Sequence, residues 1–152
     1  MVQQTHHKLY AENKKAFFDY EILEKFEAGL ELKGHEVKAI RSGRIQIAGT
    51  FVRIVGGQAW LLGSNIPPYQ AQNTPPDYDP TRTRKLLLHK KELNELIGKS
   101  HLKGLTLVPL RIYDKHDLIK LEFAVCRGKK KTDKRETIKR READREIKRT
   151  LK

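Results

Sequence analysis

The sequence predicts a mainly β protein with short helices, folded as an OB-like closed or partly open barrel that carries a basic C-terminal tail. Three observations predict it. Two pairs of β-prone runs are each joined by a turn signal. A proline-rich stretch and short helix-like runs lie between them. More than half of the net charge of +13 falls in the last sixth of the chain, where aliphatic residues are few.

In chain order, residues 1–12 are polar and contain no apolar h-region, so a flexible N-terminus without a signal peptide is expected. The barrel is expected over residues 13–127. Its first strand is read from Phe17 to Leu23 and another around Leu30 to Leu32, in a segment of mixed helix and strand signals. Residues 35–41 form a short helix closed by Gly43. Phe51–Val55 and Ala59–Leu62 flank Gly56-Gly57, a two-residue hairpin turn. Five prolines between Ile66 and Arg84 mark a loop. Leu93, Leu96 and Ile97 share one face of a helix from about His89 to Ile97, with Gly98 as its C-terminal cap. Thr106–Tyr113 and Leu118–Cys126 form a second hairpin around a turn of residues 114–117. Alternation of Ile119, Leu121, Phe123 and Val125 with Lys120, Glu122 and Ala124 buries one face. Pro109 cannot donate to a ladder and belongs at an edge or a bulge. Five or six strands with two or three helices suit a small barrel.

The tail is residues 128–152. Residues 127–152 hold 13 Lys or Arg and 5 acids. Ile138, Ala143, Ile147 and Leu151 are its only aliphatic residues. Four such side chains do not offset an ordering cost of about 1–2 kcal/mol per residue. Glu136–Arg140 and Asp144–Lys148 are acid-to-base pairs at i,i+4, which favour a helix. The tail is therefore expected to be disordered alone and helical when bound. A solvated charged tail without a specific role is the plain alternative.

Charge narrows the partners. Thirty-two Lys and Arg against 19 acids repel one another, and a polyanion is the common reason to keep such an excess. That polyanion is nucleic acid or an acidic membrane surface. No apolar run approaches the ~18 residues of a membrane span. The lone Cys126 forms no intramolecular disulfide and suits a reducing compartment, so a cytoplasmic protein is expected. Histidines 6, 7, 35, 89, 101 and 116 are scattered, and no metal site or cofactor is expected. No phosphate loop, nucleophile elbow or nucleophile–base set can be drawn, which argues against an enzyme or a small-molecule substrate. Carboxylates sit beside Lys or Arg, as solvated faces do. Basic clusters are the better signal: Lys14-Lys15 after Asn13, then Arg82, Arg84 and Lys85, then Lys129-Lys130-Lys131 and Lys134-Arg135. Arg offers a planar fork to phosphate and Lys a point charge. Phe17, Phe18, Tyr20, Tyr69 and Tyr78 could stack on unpaired bases, although burial in the core is the favoured role for each.

Several segments form one collinear set: Asn13-Lys14-Lys15-Ala16 with Asp19-Tyr20, and Glu27-Ala28-Gly29-Leu30-Glu31-Leu32-Lys33-Gly34 followed by Glu36-Val37-Lys38 and Arg41-Ser42-Gly43. Asp79-Pro80-Thr81-Arg82-Thr83-Arg84-Lys85-Leu86-Leu87-Leu88, the run Gly104 to Leu110, and Arg127-Gly128-Lys129-Lys130 with Asp133-Lys134-Arg135 complete the order. Together these segments resemble the SmpB family of tmRNA-binding proteins. The resemblance implies an OB-like barrel that binds the tRNA-like part of tmRNA (SsrA RNA), without catalysis, and acts as a monomer on it. It implies delivery to stalled ribosomes in trans-translation, with the tail in the vacant message channel against small-subunit rRNA. Asn13, Glu27 and Lys38 match family positions associated with RNA. Lys14, Lys15, Arg41, Arg82, Arg84 and Lys85 are phosphate candidates on charge grounds. Gly128, Lys129, Lys130, Asp133, Lys134, Arg135 and Ile138 fall in the segment near the decoding centre. Thr132 departs from the pattern, because relatives usually carry an aromatic residue or His there.

Glu27 is unexpected in such a set, since a carboxylate repels phosphate. It could accept from base amino groups or 2′-hydroxyls, or orient a neighbouring cation. Two other readings remain at this level: a permanent ribosomal protein, and a nonspecific single-strand binder.

Overall fold

A computed structural model describes residues 8–129 and 131–150, with side chains in the last stretch described at 135 and 138–146. The strands are β1 (Leu9–Glu12), β2 (Tyr20–Leu30), β3 (Phe51–Val55), β4 (Gln58–Leu62), β5 (Arg84–Leu87), β6 (Leu105–Lys115) and β7 (Leu118–Gly128). The helices are α1 (Lys14–Asp19), α2 (Gly34–Arg41), α3 (Lys90–Ser100) and α4 (Lys131–Thr150), with one 3₁₀ turn at Ala71–Asn73.

All strand pairs are antiparallel. The order is β1-β6-β3-β4-β5-β2-β7, and β7 pairs again with β6. Six strands therefore close a ring, and β1 pairs with β6 beside it. Closure removes the exposed edges of an open sheet. The expected mainly β barrel is present and closed.

Alternation builds its interior. Phe26 and Ala28 of β2, Leu61 of β4, Leu86 of β5, Ile112 of β6 and Leu121 and Phe123 of β7 point inward and are buried. The Phe26 and Phe123 rings stack with centroids 5.7 Å apart. Helix α2 adds Ala39 and Ile40 to this core, and α3 adds Leu96. A second, smaller core lies under α1, where Ala16 meets Val108, Leu110, Ala124 and Cys126. The polar alternation assigned to Ala124 therefore fails at that end of β7: both faces are covered. Burial pushes the Cys126 thiol up to about 11.

Five local expectations change. Phe17 and Phe18 lie in α1 rather than a strand, because the Asn13 side chain accepts from the Ala16 N–H at 3.3 Å and starts a helix. From Tyr20 to Leu30 there is one strand, bulged between Ile22 and Glu24, in place of two. Within the N-terminus read as flexible, residues 9–12 pair with β6; residues 1–7 lie outside the described set. Helix α3 runs through Gly98 to a cap at His101. The second hairpin turns on His116 and Asp117 alone, both left-handed at φ 51° and 63°. They do what Gly56 and Gly57 do in the first, at φ 61° and 73°, without glycine's freedom. Pro109 sits at a bulge, where the β6–β7 register shifts before Arg111.

Candidate nucleic-acid interface

Strand β7 runs antiparallel between β2 and β6. Its first residues meet Gly29 and Tyr113, and its last meet Tyr20 and Leu105. At about 3.3 Å per residue the two ends lie roughly 30 Å apart along the strand. The candidate RNA residues divide between these ends and a third place above α2.

At the first end is a groove of about 680 Å³. Glu27, Arg41 and Lys85 line it, so the closed barrel brings together three residues far apart in sequence. Leu30, Leu87 and Leu118 give it apolar walls, and Lys120 adds a cation. Arg41 is anchored by donating to the Asp117 carbonyl at 2.8 Å, yet its side chain remains 45% exposed. Lys38, one turn back on α2, is exposed. Lys115 Nζ lies 3.1 Å from Glu27 Oε1, and the Tyr113 hydroxyl donates to Glu27 Oε2. Burial alone would raise the Glu27 carboxyl. Hydrogen bonds from Tyr113 and Lys115, with the charges of Lys115 and Lys120, outweigh it and hold the group below its ordinary value. Glu27 is an anion at neutral pH. Sequence reasoning missed Tyr113, Lys115 and Lys120 as companions of Glu27. Only the outward phase of Lys120 in the alternation of β7 hinted at them.

Above α2 the picture differs from expectation. Arg84 is fully buried. Its Nε and Nη2 donate to Glu36 Oε2 at 2.9 and 2.7 Å. Its Nη1 donates to the Ser64 hydroxyl at 2.9 Å and the Arg82 carbonyl at 3.1 Å, and Nη2 also reaches the Pro80 carbonyl at 3.0 Å. No donor is left for a phosphate, so the expectation for Arg84 is corrected: it is a structural cation. Its counter-ion, Glu36, is also fully buried and is not one of the solvated carboxylates the sequence implied. Glu36 accepts from the Lys33 N–H at 2.8 Å, from both forks of Arg82, and from the Tyr78 hydroxyl at 3.1 Å. Burial pushes its carboxyl up, but the Arg82, Lys33 and Arg84 hydrogen bonds win and bring it down to about 2. A carboxylate three residues past the helix's N-terminal cap was the one sequence hint. Arg82 keeps a quarter of its side chain exposed. Lys85, the next outward residue on β5, lines the groove.

Asn13 is buried, caps α1 and donates to the Pro109 carbonyl at 3.0 Å, opposite the middle of β7, and α1 leads from there to Tyr20 at the strand's far end. Lys14 and Lys15 follow it and are exposed. Gly128 closes β7 opposite Tyr20, so the tail starts after the strand. The Lys129 N–H donates to the Asp19 carbonyl at 2.9 Å, and its Nζ lies 3.3 Å from the Phe17 carbonyl. Lys130 lies outside the described residues, as do the side chains of Thr132, Asp133 and Lys134 within α4. Arg135 and Ile138 are exposed. The Arg141 guanidinium stands 5.5 Å from the Phe18 ring, and that of Arg111 4.8 Å from the Phe17 ring. Tyr20 and Tyr69 pack against the two cores, in the favoured role. No group of three or more metal-ligating side chains occurs among the described residues. No described helix is long and apolar enough to cross a membrane.

The family model of SmpB protein matches residues 10–152. The SsrA-binding protein of Gloeothece citriformis is 51% identical over 145 residues, 95% of this chain and 94% of that protein. That of Enterococcus faecalis is also 51% identical over 145 residues, with the same coverage. The Chloroflexus aggregans relative is 46% identical over 153 residues, 100% of this chain and 97% of its own. A chain in the solved structure "tmRNA-SmpB: a journey to the center of the bacterial ribosome" superposes with a TM-score of 0.65 at 48% identity, covering 80% of this chain and 85% of that one.

Proposed function

Because the chain belongs to the SmpB family, we propose that it binds tmRNA and delivers it to stalled ribosomes in trans-translation. The observation that carries the reading is the match over residues 10–152, since it spans both barrel and tail. The similar chain solved with tmRNA and the ribosome supports the same partners. The action is binding and placement rather than catalysis, in the cytoplasm, by one copy per tmRNA.

In this reading the barrel is a preformed dock. Lys85, Arg41 and Lys38 meet phosphates beside Glu27, with Arg82 at the edge. Lys14 and Lys15 form a second phosphate contact, and buried Asn13 serves RNA indirectly by capping the helix that presents them. The tail, with Lys129, Lys130, Asp133, Lys134, Arg135 and Ile138 after Gly128, is the probe for a vacant message channel. An occupied channel excludes it sterically, which separates stalled from active ribosomes.

Two measurements test this. Sequencing the RNA that co-purifies with the protein should recover tmRNA as the dominant species; bulk tRNA or unstructured RNA in its place would refute the proposal. Deleting residues 130–152, which leaves β7 whole, should keep tmRNA affinity and abolish peptide tagging. Collapse of tmRNA binding would refute the division of labour.

A further inference from the structure

The Glu27 side chain crosses a strand. It starts on β2, opposite Glu122 of β7, and ends on Tyr113 and Lys115 of β6. Tyr113 and Lys115 are two residues apart on β6, so they share its outer face. The Tyr113 ring is buried, which fixes its hydroxyl in place. Lys115 Nζ sits between both carboxylate oxygens, at 3.1 and 3.4 Å. A glutamate without such partners samples several rotamers, and ordering it has an entropic cost. It would also repel an approaching phosphate, whereas Lys115 offsets its charge locally. A carboxylate has about four acceptor positions, so capacity remains on the side that lines the groove.

We propose that Tyr113 and Lys115 are the positioning residues for Glu27, holding its carboxylate turned into the groove as the acceptor for a hydrogen-bond donor of the bound RNA. The donor is a ribose 2′-hydroxyl or a base N–H. Two cations act on this carboxylate, Lys115 from β6 and Lys120 from β7, and Lys85 of β5 and Arg41 of α2 line the same groove. Of the acids, Glu122 lies opposite on β7 and pairs with Arg111 at 2.8 Å, and Glu92 and Asp117 also line the groove. The inference rests on the reading that Glu27 contacts tmRNA.

The test measures affinity for a transcript of the tRNA-like domain of tmRNA. Glu27→Gln, Tyr113→Phe and their double variant are compared in the full-length protein. Each single change should weaken binding about tenfold, and the double no more than either alone, because the hydroxyl acts through the carboxylate. Lys115→Met, at a half-exposed position, repeats the cycle without touching a buried ring. In the free protein, the carboxyl ¹³C shift of Glu27 should titrate at higher pH in Tyr113→Phe, which a merely structural role would not cause. Loss with Glu27→Gln but none with Tyr113→Phe or Lys115→Met overturns this proposal and leaves the wider reading standing. Losses that multiply in the double variants also overturn it. No loss with Glu27→Gln overturns the contact itself. Transcripts with 2′-deoxy substitutions separate the donors: the Glu27→Gln penalty vanishes on them for a hydroxyl and persists for a base N–H.

Discussion

Arg84 and Arg141 mark the two ways this protein uses a guanidinium. Arg84 is fully buried, and carboxylate, hydroxyl and carbonyl oxygens take its donors. Arg141 is exposed on α4 above a phenylalanine ring. Around Arg84, one carboxylate gathers two arginines, a tyrosine and a helix N-terminus. Around Arg141, acids and bases alternate along a helix whose described side chains are all exposed. The first region ties α2 to the proline-rich loop and β5, and so sets the wall of the groove. The second leaves its charges available. The lesson is that a count of Lys and Arg measures potential for a polyanion, whereas burial decides how much of it is spent inside the fold.

The comparison breaks most readily at Arg84. Replacing it with Met takes one of the two cations from the buried Glu36 carboxylate and removes the partner of the Ser64 hydroxyl and the Pro80 carbonyl, and an expected loss of about 3–5 kcal/mol should appear in urea unfolding. An unchanged midpoint would mean the cluster is solvated after all. Acid should distinguish the regions next. The Glu36 carboxyl is depressed to about 2 from a value near 4.5. Its contribution, roughly 3 kcal/mol, is therefore present above pH 4.5 and is lost as pH falls from there toward 2. Glu36→Gln should flatten that part of the stability curve, while removal of residues 130–152 should leave its shape alone. A smaller effect is expected at Lys14 and Lys15. Changing both to Ala should leave the melting temperature in place and lower the slope of log affinity against log salt by about 1–2, one unit per lost phosphate contact. An unaltered slope would remove α1 from the interface. Smallest is the stability change on deleting residues 130–152, expected within about 0.5 kcal/mol because the described α4 side chains are exposed. Amide exchange on the full chain would sharpen the point: rapid exchange throughout α4 fits a tail that orders on its partner, and protection equal to that of β7 would show a fixed helix.

Local patterns were legible wherever the signal is local. The Gly56-Gly57 hairpin, the bulge at Pro109 and α2 follow from turn chemistry and periodicity. In the Phe17–Leu23 segment, where helix and strand signals mix, the strand begins only at Tyr20, because the helix before it is started by a capping side chain whose other bond reaches Pro109, 96 residues away. Residues 9–12 carry little pattern of their own and become a strand because β6 offers an edge. At the candidate site, Glu27, Arg41 and Lys85 were marked one by one, but nothing in their spacing said that they meet.

By itself the sequence determined a β-rich body, its hairpins, the segregation of charge into the tail and the membership of a family, because composition, period and motif order belong to the chain. Only the tertiary structure decided that Arg84 and Glu36 are interior partners 48 positions apart, that Glu27 reaches across β7 to Tyr113 and Lys115, and that one groove collects three scattered residues. The physical reason is that the worth of a charge depends on its dielectric surroundings and its partners, and in a closed barrel both are supplied by strands distant in sequence.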